Sequence, residues 1–155
     1  MIMTGLELDS RINTLVSIFQ EDELLSEGLS DDVNVLKGPF QVTGGPTGNF
    51  VVYVSRAGLS NLEYGIKNDP VRVTAKVAIG VQTTIPSDRE EMEAIVNRFA
   101  MNVIRTLINN SQVVGDEGWY SGVVTGSDSV RLRGSNGICE LEVIEFEITF
   151  EVGGI

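Results

Sequence analysis

The segment Ile138 to Val152 constrains this chain more than any other, because its apolar residues alternate along its whole length and change phase once. Cys139, Leu141 and Val143 share one parity, and Ile144, Phe146, Ile148, Phe150 and Val152 take the other. Side chains of a strand alternate faces with period two, so the phase change predicts an inserted residue near Val143 and Ile144 that returns the later set to the same face. The result is a long, bent strand with a carboxylate fringe, a form more typical of an assembly component than of a small enzyme.

Upstream, Leu8, Ile12, Leu15, Val16 and Phe19 recur at helical spacing, with Thr4 and Glu7 placed to form a capping box. An acid-rich connection, Glu21 to Asp32, carries Leu24, Leu25 and Leu29. Short strands are predicted at Val33 to Lys37 and Phe50 to Ser55, joined by a turn segment rich in Gly and Pro. Arg56 to Pro70 reads as an irregular connection, long enough to suggest a binding loop or mobile arm. Val71 to Val81 alternates cleanly as a half-buried strand. Ser87 and Glu90 form a second capping-box signature, opening a helix that runs through Met92, Ile95, Phe99, Val103 and Leu107 to Asn109 and Asn110. Two short strands, Trp119 to Thr125 and Ser129 to Arg133, separated by Gly126-Ser127-Asp128, precede the last one. No internal repeat is visible. This order predicts an α+β fold: a single mixed or antiparallel β-sheet with two α-helices packed on one face, in one domain spanning residues 1–155.

Composition narrows the functional classes. The chain has 155 residues, 22 acidic against 11 basic side chains and a formal charge of -11, a balance that opposes tight binding of a nucleic-acid backbone. The same charge suits a surface past which DNA slides without sticking. Cys139 is the only cysteine, so no intrachain disulfide forms, and its plain reading is a small buried hydrophobe. The N-terminal residues lack a basic region followed by an apolar run, and no apolar stretch reaches membrane-spanning length, so a soluble, cytosolic protein is expected.

The chain has no histidine. That removes Ser-His-Asp and Cys-His nucleophilic systems, the commonest general base near neutral pH and the usual zinc ligand. Gly44-Gly45-Pro46-Thr47-Gly48 lacks the Lys-Ser or Lys-Thr pair of a phosphate loop and leads into no helix. Asp31-Asp32 and Asp116-Glu117 lack calcium-loop spacing. No catalytic, cofactor-binding or metal-binding set emerges, and the chain reads as a non-enzyme. The carboxylates Glu140, Glu142, Glu145, Glu147 and Glu151 read as a solvated strand face or, functionally, as an acidic channel lining. Arg131 and Arg133 flank Leu132 and share one face; they pair either with glutamates of the neighbouring strand or with carboxylates across an interface. Trp119 and Tyr120 are interface anchors or core and rim packing.

The opening amphipathic helix through Phe19, the Phe50-Val51-Val52-Tyr53-Val54 strand, the Val71 to Val81 strand, the capped helix Ser87 to Asn109 and the closing Glu145-Phe146-Glu147-Ile148-Thr149-Phe150-Glu151 strand together resemble the tail terminator proteins of long-tailed bacteriophages. These are also called tail-completion or tail-to-head joining proteins. The resemblance is one of pattern over most of the chain, with no diagnostic motif. It implies a hexameric ring that caps the tail tube, ends its polymerisation and presents a surface to the head connector. The implied partners are other copies of the chain, the tube protein and a head-tail connector or neck protein, with genome DNA passing through, no membrane and no cofactor. Such a protein is assembled in the host cytoplasm and resides at the head-proximal end of the virion tail. The Gly-Pro-rich segment and the Arg56 to Pro70 loop depart from the shortest family members, so no contact is carried over there. On their length and apolar residues, Phe40, Val42, Leu59 and Leu62 are expected to reach neighbouring subunits, and Glu145 and Glu147 to face the lumen. Another tail or neck component, such as a tube subunit or connector, and a small ligand-binding domain are the alternatives.

Overall fold

The computed structural model describes residues 5–39, 50–63, 71–85, 89–134 and 137–152, with side chains at 7–39, 50–59, 72–84, 93–129 and 139–152. The elements run α1 (Gly5–Glu21), β1 (Val33–Lys37), β2 (Phe50–Glu63), β3 (Val71–Ile85), α2 (Arg89–Asn109), β4 (Ser121–Gly134) and β5 (Gly137–Val152). The strands form one five-stranded sheet in the order β1-β2-β3-β5-β4. β1 runs parallel to β2 and every other neighbouring pair is antiparallel, so the sheet is mixed. The fold is α+β, as the sequence predicts.

One face of the sheet carries the core. Phe50, Val52 and Val54 of β2, Val73 to Val81 at alternate positions of β3, and Ile144 to Val152 at alternate positions of β5 are buried together with Leu8, Ile12, Leu15 and Phe19 of α1 and Phe99, Val103 and Leu107 of α2. Both helices therefore lie on the same face. Phe50 and Phe99 meet edge to face at 5.4 Å between centroids, joining α2 to β2 with the quadrupole geometry aromatic pairs favour.

Polar side chains tie the periphery to this core. Asn102 Nδ2 donates to the carbonyls of Leu25 and Glu27 at 3.0 and 2.9 Å, and Arg105 donates to Leu24 O at 2.7 Å. The Thr106 hydroxyl donates to the Asp22 carboxylate. The α1–β1 connection, itself a run of turns with backbone bonds from Asp22 to Leu29, is thereby held on α2, and the carbonyls of Leu24, Leu25 and Glu27 are satisfied there. Lys37 and Asp9 pair at 2.6 Å and fasten β1 to α1.

The register departs from the sequence reading in β5, β4 and β2. β5 pairs with β3 without interruption from Ile138↔Ile85 to Val152↔Val71, so the final strand carries no inserted residue against β3. Its apolar residues change face instead: Ile144 to Val152 point to the helices, and Leu141 is buried on the opposite face. The extra residue lies in the partner strand, where β4 shifts register between Val124 and Gly126, leaving Thr125 as the bulge. That bulge also explains why β4 reads as two short strands. Gly126-Ser127-Asp128 is a continuation of one strand whose alternation has been displaced by a residue.

β2 is likewise longer than predicted. It continues through Arg56 to Glu63 with register shifts between Arg56 and Gly58 and between Leu59 and Asn61, so the first half of the expected irregular loop is strand. Gly58 has φ 128°, a left-handed value that glycine takes without a Cβ penalty. Residues 64–70, and the turn segment at 40–49 with Phe40 and Val42, lie outside the described residues, as do Thr4 and Ser87 of the two capping boxes.

Candidate functional site

Three surfaces of this frame hold the residues that the sequence singles out. The first is the sheet face turned away from the helices. Register sets Arg72 beside Glu151, Lys76 beside Glu147, and Ala78 beside Glu145 on β3 and β5. Lys76 Nζ also reaches Glu145 Oε1 diagonally at 3.4 Å, and Arg72 lies 3.9 Å from Glu151. Glu145 accepts a 2.8 Å hydrogen bond from the Thr125 hydroxyl, supplied by the bulge. That hydrogen bond, followed by the attraction of Lys76, holds the Glu145 carboxyl below its ordinary value against a smaller opposing desolvation. Glu145, Glu147 and Glu151 thus share a face with two cations, whereas Glu140 and Glu142 fall on the helix-side parity, opposite Thr83 and Val81. The glutamate series is divided between two faces of the sheet.

The far end of the same face is packed. Val51, Tyr53, Gln82 and Leu141 are buried there, and Tyr53 donates from its hydroxyl to Gln82 Oε1 at 2.9 Å. Burial pushes the Tyr53 hydroxyl and the Cys139 thiol up from their ordinary values, the latter opposed by a bond with Thr84. Cys139 is half-buried in a strand. Buried Tyr53 and Gln82 and half-buried Thr84 in one hydrogen-bonded chain explain why polar residues sit at positions where the sequence shows no apolar period.

The second surface is a cleft of about 620 Å³ between the start of α1, the loop at 112–120 and the end of β5. Arg11 builds it. The side chain is buried, its guanidinium 4.3 Å over the Phe150 ring, and it donates to the carbonyls of Gly118, Glu7 and Asp116 at 3.1, 3.0 and 2.7 Å. It also pairs with the Glu7 carboxylate at 3.3 Å. Val113 and Trp119 form an isolated antiparallel bridge that closes the loop. At the turn, Gly115 has φ 129°, and a Cβ at Gly118 would collide with the Val113 carbonyl. Trp119 is buried, edge to face on Phe146 at 6.1 Å, with Nε1 donating to Asn110 O at 2.9 Å. Its neighbour Tyr120 is 41% exposed beneath Arg72 at 5.5 Å, and Val114 at the loop tip is fully exposed. The sequence named the aromatic pair. Nothing in it pointed to Arg11, which besides the nearby Glu7 bonds main-chain carbonyls of Gly118 and Asp116, more than a hundred residues away.

The third surface consists of the strand ends. Leu59 pairs with Ala75 and Leu62 with Val73, which puts both on the helix-side parity at the β2–β3 end of the sheet, and Leu59 is 39% exposed. Arg131 lies opposite Glu140 and Arg133 opposite Ile138 near the β4–β5 turn. The β2–β3 turn and the β4–β5 turn are at opposite ends of the sheet. The sequence-named residues therefore occupy separate regions rather than one pocket. Among the described residues, no three His, Cys, Asp or Glu side chains converge to hold a metal ion. No described helix is long and apolar enough to cross a membrane.

No family model matches the chain, and no curated protein matches it. A solved structure does: a chain from the "Virion of native gene transfer agent (GTA) particle" superimposes with a TM-score of 0.63 at 14% identity, over 96% of this chain and 100% of the other. At that identity the likeness is one of fold.

Proposed function

We propose that this chain is a structural component of a phage-type virion, and specifically a tail terminator: a hexameric ring that caps the tail tube, stops its growth and joins it to the head connector. The observation that carries the reading is the fold shared end to end with a chain of a virion particle. The geometry supports it in two further ways. β1 and β4 are the outer strands of an open sheet, and open edges are managed by short length, charge or pairing with another chain. The β2–β3 and β4–β5 connections leave the sheet at opposite ends, which gives a ring subunit two distinct regions for neighbours.

In this reading Leu59 and Leu62, with Phe40 and Val42, meet adjacent subunits, and Glu145 and Glu147 face a channel through which DNA passes. The work is positional and non-catalytic, carried out at the head-proximal end of the tail, with the tube protein and a neck protein as partners. A tube subunit or head-tail connector of the same fold is the second reading, favoured by the same match. Electron microscopy of purified tail tubes mixed with the protein separates them. A terminator appears as a cap on one end and halts elongation; a tube subunit extends the tube, and a connector leaves its length unchanged. Elongation that proceeds at an unaltered rate with no protein at the ends overturns the terminator.

A further inference from the structure

The sheet is open on both sides. Among the described residues β1 and β4 each have one strand neighbour, β2 and β5 respectively. The outer rim of such a strand presents main-chain donors and acceptors, and natural edges are blunted by Lys or Pro, by a bulge or by a cover. β4 has little of that protection. Residues 121–129 contain no Lys, Arg or Pro. The bulge lies at Thr125, and beyond it the ladder with β5 runs without a further shift. Side chains at 125–129 are exposed at every position, so neither face of this stretch is covered. β1 is five residues long, and its one lysine, Lys37, is turned to Asp9 of α1.

A groove of about 530 Å³ follows β1, lined by Val33, Asn34 and Val35, by Phe19 of α1 and by Leu25 of the connection after it. Phe19 and Leu25 are buried at its base. Strand addition uses an edge of this form: main-chain bonds hold the incoming strand, and its alternate side chains enter the groove.

Direction selects the incoming strand. β1 is parallel to β2, and the β2–β3, β3–β5 and β5–β4 pairs are all antiparallel, so β4 runs opposite to β1. Copies set side by side and turned the same way bring β4 of one against β1 of the next antiparallel, the slightly more stable of the two pairings. β1 against β1, or β4 against β4, is a two-fold contact that stops at a dimer. β4 against β1 joins different surfaces, the kind of contact that propagates into a closed ring. It also keeps the uncovered face of every copy, with Glu145 and Glu147, on one side of the ring and both helices on the other.

We propose that β4 of one copy, through residues 126–129, adds as an antiparallel strand to the edge of β1 in the next copy. The inference rests on the ring reading above and adds the two edges that meet and their direction.

Hydrogen exchange read by mass spectrometry tests it, comparing the full chain as monomer and as assembly, with purified tail tubes added where the chain alone stays monomeric. The outward amides of residues 33–37 and 126–129 should exchange at least about tenfold more slowly in the assembly. Successive N–H groups of a strand point to opposite sides, so one of Ser127→Pro and Asp128→Pro removes an outward N–H and leaves the ladder with β5 whole. The variant whose thermal melt matches that of the unaltered protein should fail to assemble; where neither matches, exchange decides by itself. An assembly in which either edge exchanges as in the monomer, or full assembly by the well-folded proline variant, overturns the pairing and leaves the ring reading intact. A chain that stays monomeric and leaves the tube ends bare overturns both.

Discussion

Gly122 shows how little room the core leaves. A Cβ there would run into the Phe146 ring and come within 3.0 Å of Trp119 Nε1, so the edge-to-face pair of those two rings exists only because this position has no side chain. Gly122→Ala should destabilise the protein by about 1 to 3 kcal/mol, the usual cost of overpacking, read as a lower urea midpoint at unchanged slope. Glu145 gives a second prediction. Its carboxyl is held down first by the Thr125 hydroxyl, so its folded value lies below the ordinary 4.5. A depressed carboxyl contributes stability that is present above its unfolded value and lost as pH falls through the folded one, hence only in acid below about 4.5. In Thr125→Val, the carboxyl resonance of Glu145 followed by NMR should titrate at higher pH than in the unaltered protein. An unchanged midpoint would mean that Lys76 alone sets it.

At the scale of elements, what the sequence discloses is what repeats. The helix over Leu8 to Phe19, the helix through Phe99 and Leu107, and the strand from Val71 announce themselves by period, and the structure has all three. Bulges erase period. Ala57 and Ser60 each add a residue to β2, and Thr125 adds one to β4, so Arg56 to Glu63 looks irregular and β4 looks broken. Contacts of side chains with distant carbonyls leave no pattern at all, which is why neither Arg11 nor the Asn102 and Arg105 bonds to residues 24–27 were legible. Continuing β2 past the bulges changes what Leu59 does. It is a strand residue at the sheet's end, part-exposed on the helix-side parity, rather than part of a loop. Leu59→Ser should cost at most about 1 kcal/mol of monomer stability, since much of the side chain is already in water. If the chain forms a ring and its β2–β3 end contacts a neighbour, the same replacement should abolish that ring, with native mass spectrometry as the readout. A full ring with Leu59→Ser would move the interface elsewhere.

For the molecule as a whole, the division of labour between the two sheet faces carries the argument. One face is covered by both helices, with Leu59 part-exposed at its β2–β3 end. The other is polar at the Arg72 end, where Glu145, Glu147 and Glu151 outnumber Arg72 and Lys76. If this face lines a channel, its surplus of carboxylates repels DNA weakly and Lys76 tempers rather than cancels that repulsion, so the genome passes without adhering. Reversing Glu145 and Glu147 to lysine converts the stretch to a run of cations with Lys76 at its centre. Cations facing a phosphate backbone release counterions and bind it, more tightly at low salt. Particles built with the double variant should assemble in normal numbers, by electron microscopy, yet deliver DNA poorly, with a loss of titre that lessens as salt is raised. Normal delivery from such particles would remove these glutamates from the channel. A failure of assembly would instead assign them to a contact between subunits, because a lining residue meets DNA only after the ring is complete.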